Sequence, residues 1–447
     1  MRLLIVTWYF PPANTIAAVR INKMARYLMD QGMDVRVLCA RDIPMPPGLE
    51  ADIPESHIRR AEWTDVAAHV KKWVARLRFY RRPVAGQSAF TGGQPRQQDD
   101  STRSSLSEIV KDLLFFPDFQ WGWIRPATRT GERLAADWQP DAVYATAPPF
   151  SCLMIGHRLA RRLKIPLFVE FRDRWSDDPY YPPSRLRSWL DRRFENRIVA
   201  HASGVVTVSE PWAEAYRARF GKPTQVVYNG FDPELVDPAR ATLSREGPLK
   251  IVYTGRIYPG RRDPSLLFEA IREIGANPED VTVDFYGTQE DHVWPIAESY
   301  GVSDCVRVYP PIDYAQAVRK QLEADVLLLM QWQDPREQGN VPGKLFEYLG
   351  ARRPILLIGL EGGVPDTFVR DRGAGHLARD GRQVADLLSR WITEKREHGQ
   401  VPLLPESVSA GLSHGEQFAR LPDFLKAHTG EVRRVAGESR NVSPATS

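Results

Sequence analysis

The amino-acid sequence predicts an α/β protein built of two doubly wound parallel-sheet domains. Length is the first reason, since 447 residues exceed what one core ordinarily organises. The second is order along the chain. Short apolar strands alternate with amphipathic helical stretches in two successive series, one opening at Met1 and the other at Lys250. The third is that glycine-bearing loops follow several of these strands, at the edge where open α/β sheets bind ligands.

Composition narrows function by exclusion. Hydrophobic residues make up 43% and charged residues 26%, enough apolar surface for packed cores. A formal net charge of +4 gives no global field of the kind a nucleic-acid binder uses, so no nucleic-acid partner is expected. Cys39, Cys152 and Cys305 are too scattered for a disulfide framework or a metal cluster, and the histidines show no ligand spacing. The apolar run of MRLLIVTWYFPP is too short for a signal peptide, and no stretch approaches the roughly 18 apolar residues of a membrane span. The expectation is a soluble, cytoplasmic protein, with attachment at the inner face of the cell membrane left open.

The first domain is read as residues 1–235. Arg2–Thr7 is a short apolar strand, and Ala17, Ile21, Met24, Ala25 and Leu28 then form one helical stripe. Gly32 is placed to end that helix in a left-handed conformation before the strand Asp34–Ala40. The intervening loop Pro11–Thr15 lies at the carboxyl end of the first strand. From Val66 to Pro83 the chain is basic and amphipathic, with Val70, Trp73, Leu77 and Tyr80 on one face. Residues 66–82 read either as a solvated helix over the core or as a peripheral contact with an anionic membrane surface. Residues 84–105 are rich in Gly, Ser, Gln and Pro and are expected to be a disordered insertion. Asp141–Ala145, Leu167–Phe171, Val205–Val208 and Gln225–Tyr228 are further strands, with a helix over Ser151–Leu163. Asn229-Gly230 and the run from Asp237 to Arg240 mark a junction and hinge.

The second domain is read as 236–413. Strands Ile251–Thr254, Val281–Tyr286, Val306–Tyr309, Val326–Met330 and Ile355–Ile358 alternate with helical stretches, the first of them Ser265–Ile274. A terminal helix follows at 414–428. Residues 429–447 are aperiodic and are expected to be a disordered tail.

Three features of the second half converge on one kind of ligand. Gly255-Arg256-Ile-Tyr-Pro-Gly260-Arg261-Arg262 follows a strand and precedes a helix. Close backbone approach at glycine and three guanidinium groups suit a diphosphate; the alternative is a solvated surface loop. In Gly339-Asn340-Val-Pro342-Gly343-Lys344-Leu-Phe-Glu347, Asn340 is placed to cap a helix with Pro342 in its first turn. Lys344 beside the first amides suits phosphate, and Glu347 one turn deeper suits ribose hydroxyls. The alternative is a surface ion pair at i,i+3, worth about 0.3 kcal/mol. Glu361-Gly362-Gly363-Val364 is a third glycine turn at a strand end.

Taken in order, APPFSCLMIGHRLARRLKIPLFVEFRDRW, VTVSEPW, VVYNGFD, YTGRIYPGRRDPSLLFEAI and VPGKLFEYLGARRPIL resemble the retaining family-four glycosyltransferases of the GT-B fold. Within them the chain is similar to the branch that builds bacterial surface polysaccharides. The resemblance covers Met1 to His428 without the insertion. It implies two Rossmann-like domains facing a central cleft, the first for the acceptor and the second for a UDP- or GDP-linked sugar. A glycan or polyprenyl-linked acceptor and no metal or other cofactor follow from the same resemblance. Arg256, with Arg261 or Arg262 where the family usually has lysine, would hold the donor diphosphate together with Lys344 and Gly343. Glu347 matches the second glutamate of the family's E-x7-E element, which binds ribose. The first glutamate falls at Gly339, a departure, and Glu337 is out of register by two positions. Asp173 and Arg172 lie near the place where many relatives carry a histidine facing the sugar, and are assigned to the catalytic, acceptor side; the alternative is an internal ion pair.

That mechanism needs charge stabilisation as a nucleoside diphosphate departs. No Asp-x-Asp element is apparent, so arginines, a lysine and helix-end amides would supply it. The resemblance further implies retention, with the leaving phosphate taking the acceptor's proton. Rival readings are a GT-B epimerase or phosphorylase and a non-catalytic nucleotide-sugar binder. A dinucleotide oxidoreductase is disfavoured, because the opening loop has no G-x-G-x-x-G.

Overall fold

The computed structural model describes residues 1–66, 68, 112–180, 183–240 and 245–438. The basic stretch 66–82, apart from Val66 and Ala68, the insertion 84–105 and residues 439–447 lie outside the described residues.

The chain divides into two compact units, Met1–Val227 joined by the C-terminal residues from Phe418, and Tyr228–Gln417. The boundary therefore falls at Val227–Tyr228 rather than at 235–236. The terminal segment, expected as one helix over 414–428, is two helices, and the second, Leu421–Glu438, belongs to the first unit. That helix also corrects the expected tail, because residues 429–438 continue it instead of forming aperiodic chain. Leu421 and Leu425 are fully buried in the first unit's core, which anchors the helix there.

The first unit holds a seven-stranded sheet in the order β3-β2-β1-β4-β5-β6-β7, with every pairing parallel. Its strands are β1 Arg2–Val6, β2 Asp34–Ala40, β3 Ile58–Ala61, β4 Ala142–Ala147, β5 Leu167–Phe171, β6 Gly204–Thr207 and β7 Thr224–Val226. Among the described residues five helices connect them: α1 Ile16–Asp30, α2 Ile124–Trp138, α3 Ser151–Leu163, α4 Arg185–His201 and α5 Glu210–Phe220. Helices on both faces explain why all of β4 is buried and why its sequence AVYATA does not alternate. Helix α1 starts where the Thr15 side chain accepts from Ala18 N, and Gly32 follows its end at φ +76°. Helix α3 approaches β4 closely because Gly156 has no Cβ; one there would lie 2.5 Å from the Ala145 Cβ.

The second unit repeats the plan with six parallel strands in the order β10-β9-β8-β11-β12-β13. These are β8 Leu249–Thr254, β9 Val281–Tyr286, β10 Val306–Tyr309, β11 Val326–Met330, β12 Ile355–Ile358 and β13 Gly375–Ala378. Its helices are α6 Ser265–Glu273, α7 Trp294–Tyr300, α8 Tyr314–Leu322, α9 Lys344–Ala351, α10 Val364–Asp371, α11 Gly381–His398 and α12 His414–Phe418, the last ending one residue beyond the division; α13 is Leu421–Glu438.

Each sheet has one place where strand order reverses. In the first it lies between β1 and β4, and in the second between β8 and β11. Successive crossovers leave in opposite directions there, so the loops diverge and open a crevice at the carboxyl edge. That topology puts the loops after β8 and β11 side by side in the second unit, and those after β1 and β4 side by side in the first.

Candidate functional site

In the second unit, β8 ends at Thr254 and the chain turns at Gly255, whose φ of +122° is open to glycine and strained for other residues. Gly255 N donates to Tyr286 O at 2.8 Å, so the turn stays pinned to the neighbouring strand. A Cβ on Gly255 would meet Lys344 Nζ at 2.7 Å. The Gly-Arg loop and the start of α9, separated by almost ninety residues, are thus in direct contact. Lys344 Nζ also stands 3.8 Å from the centre of the Tyr253 ring, which faces the cation with its electron-rich side. Burial, and then Arg262, hold the Lys344 ammonium down to about 7, against the opposing pull of Glu347.

Glu347 is 6% exposed, one turn inside α9. Gln321 Nε2 of α8 donates to its Oε2 at 2.7 Å, and Tyr314 faces the same carboxylate. Burial raises its carboxyl above the usual range, opposed by Gln321, Lys344 and Tyr314. The surface i,i+3 ion pair is therefore not what forms: Lys344 turns to the Tyr253 ring, and Glu347 is a buried acceptor.

The arginines take three different positions. Arg256 is exposed at the head of the loop, while its carbonyl accepts from the Tyr253 hydroxyl at 2.7 Å. Arg261 lies over the Trp332 ring at 4.5 Å, with Arg336 over the same ring at 4.8 Å. Arg262 reaches Glu337, with Nη2 to Oε2 at 3.1 Å. Glu337 is 0% exposed and also accepts from Asn340 Nδ2 at 2.9 Å. The expectation that Asn340 caps a helix is corrected by where α9 starts. Helix α9 begins at Lys344 with the half-buried Gly343 in the capping position and no side-chain cap, which leaves Asn340 three residues too early, its amide donating to Glu337 instead. Gly363 precedes α10, and Gly362 N donates to Asp366, closing the third glycine turn.

The second unit therefore brings together Gly255, Arg262, Gly343, Lys344 and Glu347, with Arg256 and Arg261 on the adjoining loop. Partial positive charge at the start of α9 adds to the cations. A pyrophosphate fits the cationic part, and a vicinal diol fits the carboxylate beyond it. Tyr253, Gln321, Trp332 and the Arg262–Glu337 pair were not read from the sequence. Their only sequence signal is position, at or after a strand end or on the helix before β11.

Arg172 and Asp173 follow β5 in the first unit. Arg172 Nη2 donates to Pro148 O at 2.7 Å and Nε to Ala147 O at 3.3 Å, so it clasps the turn after β4. Asp173 is exposed beside it. Tyr9, beyond β1, shares this cluster. Burial raises its hydroxyl pKa, Arg172 opposes that, and Cys152, Asp118 and Asp173 add to it. Beneath them Arg20 and Glu170 are paired at 2.7 Å with exposures of 2% and 0%. Thr146 also donates to Glu170, at 2.5 Å.

Among the described residues no group of three or more His, Cys, Asp and Glu is arranged to hold a metal ion, and no helix is long and apolar enough to cross a membrane.

Comparison with known proteins places this architecture. Residues 17–230 match the model of the Glycosyl transferase 4-like domain. No curated protein matches in sequence. Among solved structures, the chain is similar to sucrose-phosphate synthase from Thermosynechococcus elongatus, with a TM-score of 0.57 at 12% identity, covering 99% of this chain and 100% of that one. Anabaena HepE in complex with UDP gives a TM-score of 0.57 at 14% identity over 96% of this chain and 100% of that one. The lipopolysaccharide outer core galactosyltransferase WaaB, in its apo form, gives 0.54 at 12% identity over 96% and 99%. The chain thus has the GT-B fold of two Rossmann-like units, and its residues 17–230 are similar to the Glycosyl transferase 4-like domain.

Proposed function

We propose that this protein transfers a sugar from a UDP- or GDP-linked donor to a glycan or polyprenyl-linked acceptor, with retention and without a metal, in the assembly of cell-surface polysaccharide. The observation that carries the donor half is the meeting of Gly255, Lys344 and Arg262 at the β8–β11 edge, with Glu347 one turn deeper. The diphosphate lies against Lys344, Arg262, the Gly343 end of α9 and the guanidiniums of Arg256 and Arg261. Glu347 accepts from the ribose hydroxyls. As the glycosidic bond breaks, negative charge builds on the departing phosphate, and fixed cations stabilise it without reorganising. The departing phosphate oxygen takes the proton of the attacking hydroxyl. Asp173, exposed beyond β5, serves the acceptor, and Arg172 shapes that wall by holding Ala147 and Pro148.

The Glycosyl transferase 4-like match supports transfer over the epimerase reading. Because HepE has been captured with UDP in the same fold, UDP is the first nucleotide to test. Calorimetric titration with UDP, GDP and ADP, with and without EDTA, tests the donor assignment. Metal-independent binding of one nucleotide, weakened in Arg256→Ala and Glu347→Ala, is the expected result. Binding to none of the three would end this reading.

A further inference from the structure

The Glu347 carboxylate is held from a second helix. Gln321 on α8 is 1% exposed, and its amide nitrogen donates twice, to Glu347 Oε2 at 2.7 Å and to Thr254 Oγ1 at 3.0 Å. Thr254 is the last residue of β8, directly before the Gly-Arg loop, and its N–H donates to the Tyr348 hydroxyl at 3.3 Å. One amide therefore ties the strand that launches that loop to the helix that carries the carboxylate. Tyr314, in the first turn of α8, also faces Glu347 and favours its charged form. Both side chains come from α8, so the Gln321 bond holds the carboxylate from that helix.

Among the described residues none donates to the buried Gln321 Oε1. An amide placed only to satisfy itself would not leave its oxygen in that state. The orientation instead spends both donors on Thr254 and Glu347, at the cost of an unmet acceptor. A diol recognised by one carboxylate needs that group at a fixed angle, because two hydroxyls must reach its oxygens together.

We propose that Gln321, assisted by Tyr314, is a positioning residue that sets the Glu347 carboxylate for the two ribose hydroxyls of the donor nucleotide. This rests on the donor reading given above. Gln321 touches no substrate; it acts through Glu347. The consequence is specific. Loss of Gln321 should remove discrimination for the ribose diol and leave the diphosphate contacts as they are.

The test is calorimetry on the full chain with UDP and GDP and their 2′,3′-dideoxy counterparts. The wild type should bind the ribo form about tenfold or more tightly than the dideoxy form, the value of a charge-assisted hydrogen bond or two. Gln321→Met, which keeps the volume and removes both donors, should bring that ratio close to one with dideoxy affinity unchanged. Tyr314→Phe should reduce the ratio by a smaller factor, and it loses only one oxygen if Gln321→Met does not fold. In a Glu347→Gln background, Gln321→Met should cause no further loss of the ratio. Equal weakening of both forms would assign Gln321 a merely structural role and overturn the proposal, as would an unchanged ratio in both variants. A wild type that binds nucleotide without preferring ribose also overturns it, while leaving the diphosphate half of the donor reading intact. A wild type that binds neither nucleotide overturns both.

Discussion

Lys344 Nζ lies 3.8 Å from the centre of the Tyr253 ring and against the bare Cα side of Gly255. The ring is on β8 and the lysine opens α9, so the contact joins the two halves of the candidate donor site. An aromatic face compensates an ammonium less completely than a carboxylate would, which leaves this cation short of a full counter-charge. An arriving diphosphate supplies one.

Binding of nucleoside diphosphate should take up a proton. In the free protein Lys344 is held near 7 by burial and by Arg262. A bound anion favours the charged form and moves that value upward. Affinity is therefore greatest below about pH 7 and falls as pH rises through the free-state value toward the bound-state one. Calorimetry at about pH 8 in buffers of different ionisation enthalpy should show proton uptake in the wild type and none in Lys344→Arg, since arginine stays charged. Equal behaviour of the two proteins would remove Lys344 from the phosphate site.

Gly255→Ala should cost about 2 kcal/mol of stability through its left-handed backbone and should also weaken nucleotide binding. The new methyl meets the flexible end of Lys344, so the lysine moves rather than the backbone. Gly275→Ala is the comparison. Its φ is +63° and a Cβ there has open space, so urea unfolding should show a loss in stability with nucleotide affinity unchanged.

Arg262→Gln should destabilise the second unit by about 3 kcal/mol, because Glu337 keeps a buried charge with only Asn340 to meet it. The double variant with Glu337→Gln should recover most of that loss in thermal melts. Additive losses would show that the two side chains are not coupled.

Glu170→Ala should cost about 3–5 kcal/mol by leaving Arg20 buried and unpaired by its carboxylate. Burial raises the Glu170 carboxyl, but Arg20, Arg172 and the Thr146 and Arg20 hydrogen bonds outweigh it and leave the value depressed. A depressed carboxylate stabilises the fold above its unfolded value, and that stability is lost as pH falls through its folded one. Acid unfolding of Arg20→Met with Glu170→Met should begin at lower pH than that of the wild type; an unchanged onset would mean that other carboxylates set it.

The strands were legible because buried parallel strands are short apolar runs, unbroken in Val326–Met330 and Ile355–Ile358. β3 and β13 were not, since IRRA and GHLA are edge strands with polar residues and too little apolar content to stand out. That Lys344 and Glu347 share one helix behind a glycine turn was legible from spacing, while their assigned roles rest on the family resemblance. Gln321 and Glu337 were not legible, because a buried polar residue shows its purpose only through partners distant in sequence: Glu347 for the one and Arg262 for the other. Capping by Asn340 was misread because the helix starts at Lys344 with Gly343 in the capping position, three residues beyond Asn340. The domain boundary was set too late because turn residues at Asp237 are louder than the packing change at Val227.

Donor turnover tests the central claim most directly. Purified protein is incubated with UDP- and GDP-linked sugars and a polyprenyl-linked glycan extract, and release of nucleoside diphosphate is measured with EDTA present. The account predicts release with one donor class, abolished in Lys344→Ala and reduced in Asp173→Asn with nucleotide affinity kept. Donor that binds tightly yet is never turned over, with any acceptor fraction, would contradict it and favour a non-catalytic nucleotide-sugar binder.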